Sequence, residues 1–148
     1  MSYANLNYHI MFSTKERAAW LTGEMKPRLI RYLGGIIREA GGMMLDANGP
    51  VDHIHVAATL KPTEALSNVI RALKSKSSGW IHETFSGLTA FRWQKGYAAF
   101  SVSKSVLPQV IKYIRGQEEH HRVRTFREEL IEFFEKHGIE YDERYLLE

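Results

Sequence analysis

Short apolar runs and longer helical repeats alternate along this chain. Tyr8 to Phe12 is largely apolar and closed by Ser13 and Thr14, which predicts a first strand. A helix is expected from Thr22, as its cap, to about Ala40, with Pro27 near its first turns and Gly41-Gly42 at its end. The pair Gly34-Gly35 inside it is unfavourable by propensity and points to close packing against a sheet. Met43 to Ala47 reads as a second strand and His53 to Leu60 as a third. The turn signal Asn48-Gly49-Pro50 between them makes an antiparallel hairpin.

A second helix is expected from Thr63 to about Phe85, with Leu66, Val69, Ile70, Leu73 and Ile81 at helical spacing. Tyr97 to Val102 reads as a fourth strand. A third helix, capped by Ser105, runs from Val106 to about His121. Its apolar face is Val106, Val110 and Ile114, flanked by Leu107 and Ile111. Arg127 to Lys136 is a fourth helix ended by His137-Gly138, and the tail Ile139 to Glu148 is expected to lie over a surface. The order is βαββαβ followed by helices. That predicts an α+β, ferredoxin-like or RRM-like antiparallel sheet with additional C-terminal helices. Neither an internal repeat nor a linker interrupts residues 1–148, so a single domain is expected.

Composition narrows the class. The apolar share of 44% and the charged share of 25% are those of an ordinary globular protein. Cysteine is absent, which excludes disulfides and thiolate-bound zinc. With no membrane-length apolar run and no signal-peptide pattern, an intracellular soluble protein is expected. The net charge of +3 conceals an asymmetry: residues 1–115 carry 15 Lys/Arg against 7 Asp/Glu (+8), and residues 116–148 carry 5 against 10 (−5). A basic body with an acidic C-terminal part suits a polyanion-binding face and a separate element that avoids it, although uneven surface charge alone reads the same way.

Chemistry concentrates in two places. His53 and His55, two apart on a predicted strand, point to the same face, where two neutral imidazoles can share one metal ion. A lone strand pair of this kind more often faces solvent or joins a hydrogen-bond network. On the third helix, Tyr113 and Gln117 are four apart and lie on one side, with His120 near them. Taken alone, Tyr113 reads as a core-edge aromatic and Gln117 as a solvated amide. On the second helix Arg71, Lys74 and Ser78 recur at spacings of three and four, with Lys76 beside them. They form a basic stripe that can neutralise phosphates or simply be solvated. Trp80 and Trp93 can stack on unpaired bases or pack in the core. His9, His82 and His137 show no partner pattern. The acidic last helix, with Glu128, Glu129, Glu132 and Glu135, is expected to support a dimer or a hinge and not to lie along phosphate.

Three ordered motifs carry a resemblance. They are Asp52-His53-Ile54-His55, then Gly96-Tyr97-Ala98-Ala99-Phe100-Ser101-Val102-Ser103, then Tyr113-Ile114-x-x-Gln117-Glu118-x-His120-His121. Together they closely resemble the single-tyrosine HUH transposases of the insertion sequence 200-like group, and the likeness runs from Tyr8 to Tyr145. The resemblance implies that Tyr113 is the nucleophile, that His53, His55 and Gln117 hold a divalent ion, and that His120 has an accessory role. It further implies cleavage and rejoining of single-stranded DNA with hairpin ends through a 5′-phosphotyrosine bond. Also implied are Mg²⁺ or Mn²⁺ as the ion, although imidazoles alone would equally suit zinc. A homodimer follows too, with active sites shared between protomers, acting at the nucleoid of a prokaryotic cytoplasm. Two rivals stand beside this reading. A non-catalytic single-strand-binding module of RRM-like fold leaves the His pair unexplained, and a zinc hydrolase of small substrates leaves Tyr113 without a role.

Overall fold

The computed structural model describes residues 1–117 and 124–146. Strands β1 (Asn7–Ser13), β2 (Met43–Asn48), β3 (His53–Thr59) and β4 (Ala98–Val102) form one antiparallel sheet in the order β2-β3-β1-β4. Helices α1 (Met25–Glu39) and α2 (Leu66–Thr84) complete the βαββαβ unit, and α3 (Leu107–Arg115) and α4 (Phe126–Lys136) follow it. This is the ferredoxin-like α+β arrangement with C-terminal helices expected from the sequence. Among the described residues, no helix is long and apolar enough to cross a membrane.

Alternation along the strands divides the sheet into two unlike faces. Ile10 and Phe12 of β1, with Ile54, Val56 and Ala58 of β3, enter the main core with Leu29, Leu33 and Ile37 of α1 and Val69, Ile70, Leu73 and Ile81 of α2. The opposite face carries His9, Met11 and Ser13 of β1, aligned with Ala57, His55 and His53 of β3. Helix α4 covers part of this second face, packing Phe126 and Leu130 on Met11, Ala98 and Phe100. Helix α3 packs on β2 and β3. With helices on both faces, even the polar alternates of β3 are buried, so His53 to Ala58 are all inaccessible.

The helix starts differ from the sequence expectation. Thr22, Thr63 and Ser105 do not cap; Glu24, Ala65 and Val106 occupy the N-cap positions, with no side-chain cap bond. In α1 and α3 a proline, Pro27 or Pro108, lies in the first turn. Proline lacks an N–H and is preset for helical φ, so it starts a helix with one fewer exposed donor to satisfy. Only α4 has a side-chain cap among the four: the Thr125 hydroxyl accepts from the Glu128 N–H at 3.2 Å. Gly34 does approach the sheet, since a Cβ there would lie 3.0 Å from Met44 Cε, but Gly35 meets nothing.

The apolar face of α3 is also turned from its expected direction. Leu107 and Ile114 are buried, whereas Val106 is 43% exposed. The helix docks on β2 and β3 through the Leu107–Ile114 side, which leaves Val106 and Val110 beside a groove that faces α4.

Candidate active site

The site is assembled on the second face of the sheet. His53 and His55 are fully buried neighbours on β3, with ring centroids 5.1 Å apart. Each uses Nδ1 to hold a supporting partner: His53 lies 2.7 Å from Asp52 Oδ1, and His55 lies 2.8 Å from His9 Nε2. Both Nε2 atoms therefore point to one place, where they lie 3.2 and 3.1 Å from Glu129 Oε1. Glu129 comes from α4 and is 2% exposed. Its other oxygen, Oε2, accepts a very short hydrogen bond from the Tyr113 hydroxyl and a long one, 3.4 Å, from Gln117 Nε2. One carboxylate thus joins both histidines, the tyrosine and the glutamine.

Local sequence explains each placement. The β3 alternation sends both imidazoles to one face, and the Asn48-Gly49-Pro50 turn delivers the chain into His53. Gly49 is required there by close approach, because any Cβ would strike the His53 carbonyl. Tyr113 sits near the end of α3. Gln117, just past the Gly116 cap, is buried and also donates to the Tyr113 carbonyl at 3.4 Å. Phe126 in the first turn of α4 packs on His53, centroids 4.3 Å apart, which fixes the helix that carries Glu129.

Burial and charge set the protonation of these groups. Burial, followed by the charge of His55, pushes His9 down to about 3, so its ring is neutral at physiological pH. Without an ion, His55 Nε2–H donates to Glu129 Oε1 and Nδ1 accepts from His9 Nε2–H; a neutral His9 can equally accept from an Nδ1–H of His55, the tautomer that would present the His55 Nε2 lone pair to an ion. At His53 burial works to lower the pKa, but hydrogen bonds to Asp52 and Glu129 and their charges outweigh it and hold the imidazole above its usual range. The Tyr113 phenol is raised above the ordinary tyrosine range, first by burial and then by Glu129, against smaller opposing effects of Gln117 and Arg124.

His53, His55 and Glu129 offer three ligand atoms within 4.8 Å of one another. Two imidazole nitrogens with outer partners and one carboxylate oxygen are a donor set that suits a divalent ion. The structure brings together His53, His55, Tyr113 and Gln117, the four residues singled out in the sequence. His120 lies outside the described residues.

The basic stripe is elsewhere, on the α2 side of the sheet. Arg71, Lys74 and Ser78 line a groove of about 470 Å³ with Arg92, Lys95 and Tyr97. Lys74 is turned inward: its ammonium donates to the carbonyls of Gln94, Lys95 and Gly96 at 2.8, 3.0 and 2.5 Å, and burial pushes its pKa down to about 8. Lys76 does not line this groove and pairs with Glu39 at 3.3 Å. Trp80 stacks on Tyr32 at 4.8 Å. Trp93 packs edge-on against Phe12 and Phe91 and donates to Ser77 Oγ at 2.9 Å, yet it is only half-buried and lines the same groove as Arg71 and Lys74.

Two members of the site lie outside the residues that the sequence motifs single out. His9 has no partner at sequence spacing, but alternation on β1 puts it on the face of Met11, which aligns with His55. Glu129 carries a local signal of its own: Phe126, Leu130 and Phe133 surround it at helical spacing, so it alone of the four glutamates of α4 falls on the apolar face, and Glu128, Glu132 and Glu135 are exposed.

The fold and site define a mixed α+β protein with a tyrosine set beside a buried His pair, and comparison with known proteins assigns its family. The profile of the family described as transposase, IS200-like, matches residues 2–117, and the chain belongs to that family. It is 30% identical over 128 residues to the transposase for insertion sequence element IS200 of Salmonella typhimurium, covering 80% of this chain and 81% of that one. It is 26% identical over 119 residues to the ISDra2 transposase TnpA of Deinococcus radiodurans, covering 77% and 85%. The fold matches a Deinococcus radiodurans crystal structure provisionally described as a transposase, with TM-score 0.66 and 24% identity over 78% of this chain and 93% of that one. It also matches the REP-associated tyrosine transposase bound to a REP hairpin, with TM-score 0.60 and 17% identity over 82% and 72%.

Proposed function

We propose that this IS200-like transposase cuts and rejoins single-stranded DNA with Tyr113 as nucleophile, acting on the hairpin-bearing ends of an insertion sequence. The observation that carries the reading is the shared carboxylate: Glu129 meets the Tyr113 hydroxyl with one oxygen and both metal-facing imidazole nitrogens with the other. Nucleophile and ion-binding atoms are therefore within one contact of each other.

His53, His55 and Glu129 would hold a divalent ion, with Gln117 adding its amide oxygen after rotation of the amide. The oxygen donors favour Mg²⁺ or Mn²⁺. Such an ion, when bound, polarises and orients a scissile phosphate. The phenolic oxygen of Tyr113 forms a bond to phosphorus as the bond to the 3′-oxygen breaks, and the 3′-oxygen leaves and takes a proton from water. Exchange of one phosphoester for another conserves the bond energy, so a later 3′-hydroxyl can reverse the step without ATP. Because Tyr113 is raised above the usual phenol range, it needs help to lose its proton, and Glu129 is the base in contact with it.

The chain is proposed to act as one domain and as a homodimer, as the family resemblance implies. Tyr113 meets the His pair of its own chain, which supports action in cis in this conformation. Arg71 and Ser78 remain as DNA contacts on the α2 groove, with Lys74 as the anchor of its wall. The rival single-strand-binding reading needs an open sheet face for stacked bases. Here Phe100 is 4% exposed and lies under Phe133, at 5.2 Å.

The decisive experiment incubates the protein with Mn²⁺ and labelled single strands from the DNA flanking its gene. A covalent adduct on denaturing gels that is lost in Tyr113→Phe is expected. Binding without any adduct would favour the rival module, and hydrolysis surviving Tyr113→Phe would favour a metal hydrolase.

A further inference from the structure

A second cavity adjoins the nucleophile, on the side of Tyr113 away from the His53–His55 pair, and has no part in the proposed chemistry. It is a groove of about 350 Å³ between α3 and α4, at the low end of the range for small-ligand sites, roughly 300–1,000 Å³. Val106, Val110 and Tyr113 form its α3 wall, one helical turn apart, and Phe133 forms the α4 wall. His9, Gln109, Glu132 and Lys136 also line it. Arg124 does so too, but its guanidinium is ion-paired to Glu132.

We infer that this groove seats one unpaired base of the DNA strand, next to the phosphate that Tyr113 attacks. The inference rests on the proposed tyrosine chemistry and adds a binding subsite to it. Three features select this occupant. Val106 and Val110 give an apolar strip facing the aromatic rings of Phe133 and Tyr113, as the face of a base requires, and the charged side chains of Arg124 and Glu132 are paired with each other. Gln109 supplies an amide for a base edge, and Lys136 supplies a cation for the phosphate beside it. The groove ends on Tyr113 itself, so a base lodged there holds its own backbone phosphate close to the hydroxyl.

The groove also accounts for the exposure of Val106. At 43% exposed, this residue contributes little to folding, yet it keeps an apolar side chain at the groove mouth. The Phe133 ring is held against Phe100 and edge-on to Tyr113, centroids 5.6 Å apart, so the wall and the nucleophile are fixed relative to each other.

The test uses full-length protein and single strands from the gene's flanking DNA carrying 4-thiothymidine at one position at a time. Irradiation followed by peptide mapping should place a cross-link on residues 106–113 or 132–136 when the label adjoins the cleaved phosphate. Val106→Trp, a change at an exposed position, fills the groove mouth. It should abolish that cross-link and weaken strand binding by about tenfold, in line with one stacked base. Phe133→Ala should weaken binding similarly. Cross-links confined to the Arg71 and Tyr97 groove, or unchanged binding by Val106→Trp, overturn the inference. The adduct assay separates the two ideas: an adduct with no cross-link in the α3–α4 groove sinks only the subsite, and a cross-link with no adduct sinks only the tyrosine chemistry.

Discussion

Tyr113 and Glu129, 16 positions apart and on different helices, meet: the phenol donates to Oε2 of a carboxylate that is 2% exposed. That contact ties α3 to α4 at the point where both cross the His pair. It makes the C-terminal helix part of the site.

Glu129→Gln retains volume and removes the charge. Mn²⁺ affinity, followed by calorimetry, is expected to fall by at least the roughly 10–100-fold that loss of an outer partner costs. Adduct formation should fall with it. An adduct yield at or above that of the unmodified protein would mean that Glu129 blocks the ion and does not bind it.

Tyr113→Phe is expected to abolish the adduct while leaving the fold intact. The hydroxyl lost was a donor to a buried carboxylate, so urea unfolding should show a loss of about 1–3 kcal/mol. A stability unchanged within error would show that the Tyr113–Glu129 bond is not formed in solution.

His9→Phe tests the support of His55 and the response to acid. His9 titrates near 6.5 when unfolded and at about 3 when folded. Between those values the unfolded chain binds a proton that the folded chain refuses. Folding stability in the metal-free protein therefore falls as pH drops from about 6.5 towards 3, by on the order of 5 kcal/mol from this residue. His53, raised in the folded state, acts in the opposite sense: its contribution is present below 6.5 and is lost as pH rises through its folded value. His9→Phe should flatten the acid limb, cost about 1–3 kcal/mol at neutral pH by stripping His55 Nδ1 of its partner, and weaken metal binding. Thermal unfolding at pH 7 and pH 4 checks the sign. An acid limb as steep as before would remove His9 from the account.

Gly49→Ala probes the turn. A Cβ there collides with the His53 carbonyl and would lie 3.0 Å from Ile54 Cα, so the β2–β3 turn must shift. A loss of about 1–3 kcal/mol is expected, together with weaker Mn²⁺ binding, because His53 moves with the turn. Full metal affinity in a destabilised variant would separate the turn from the site.

The β3 run was legible because strand alternation is local: His53 and His55 share a face whatever surrounds them. Tyr113 and Gln117 were legible as one side of a helix for the same reason, and the three ordered motifs supplied the family. Val106 misled because the periodicity of α3 names an apolar arc about 100° wide, and docking on β2 and β3 chose its Leu107–Ile114 edge. Thr22, Thr63 and Ser105 misled because a capping residue is an option that a nearby proline or tertiary packing can leave unused.

Local order along the chain was thus enough for the βαββαβ succession, the histidine pair, the tyrosine helix and the family. Three things required the packed molecule. Glu129 enters the site because α4 folds back over the sheet, which depends on Phe126 and Leu130 finding Met11, Ala98 and Phe100. His9 becomes the partner of His55 because β1 lies beside β3 in one register, and a shift of one residue would send it to the other face. The groove beside Tyr113 exists only between two helices whose separation no single segment encodes. Side-chain direction is a property of one element, whereas meeting is a property of two, and the second is decided by burial of surface between them.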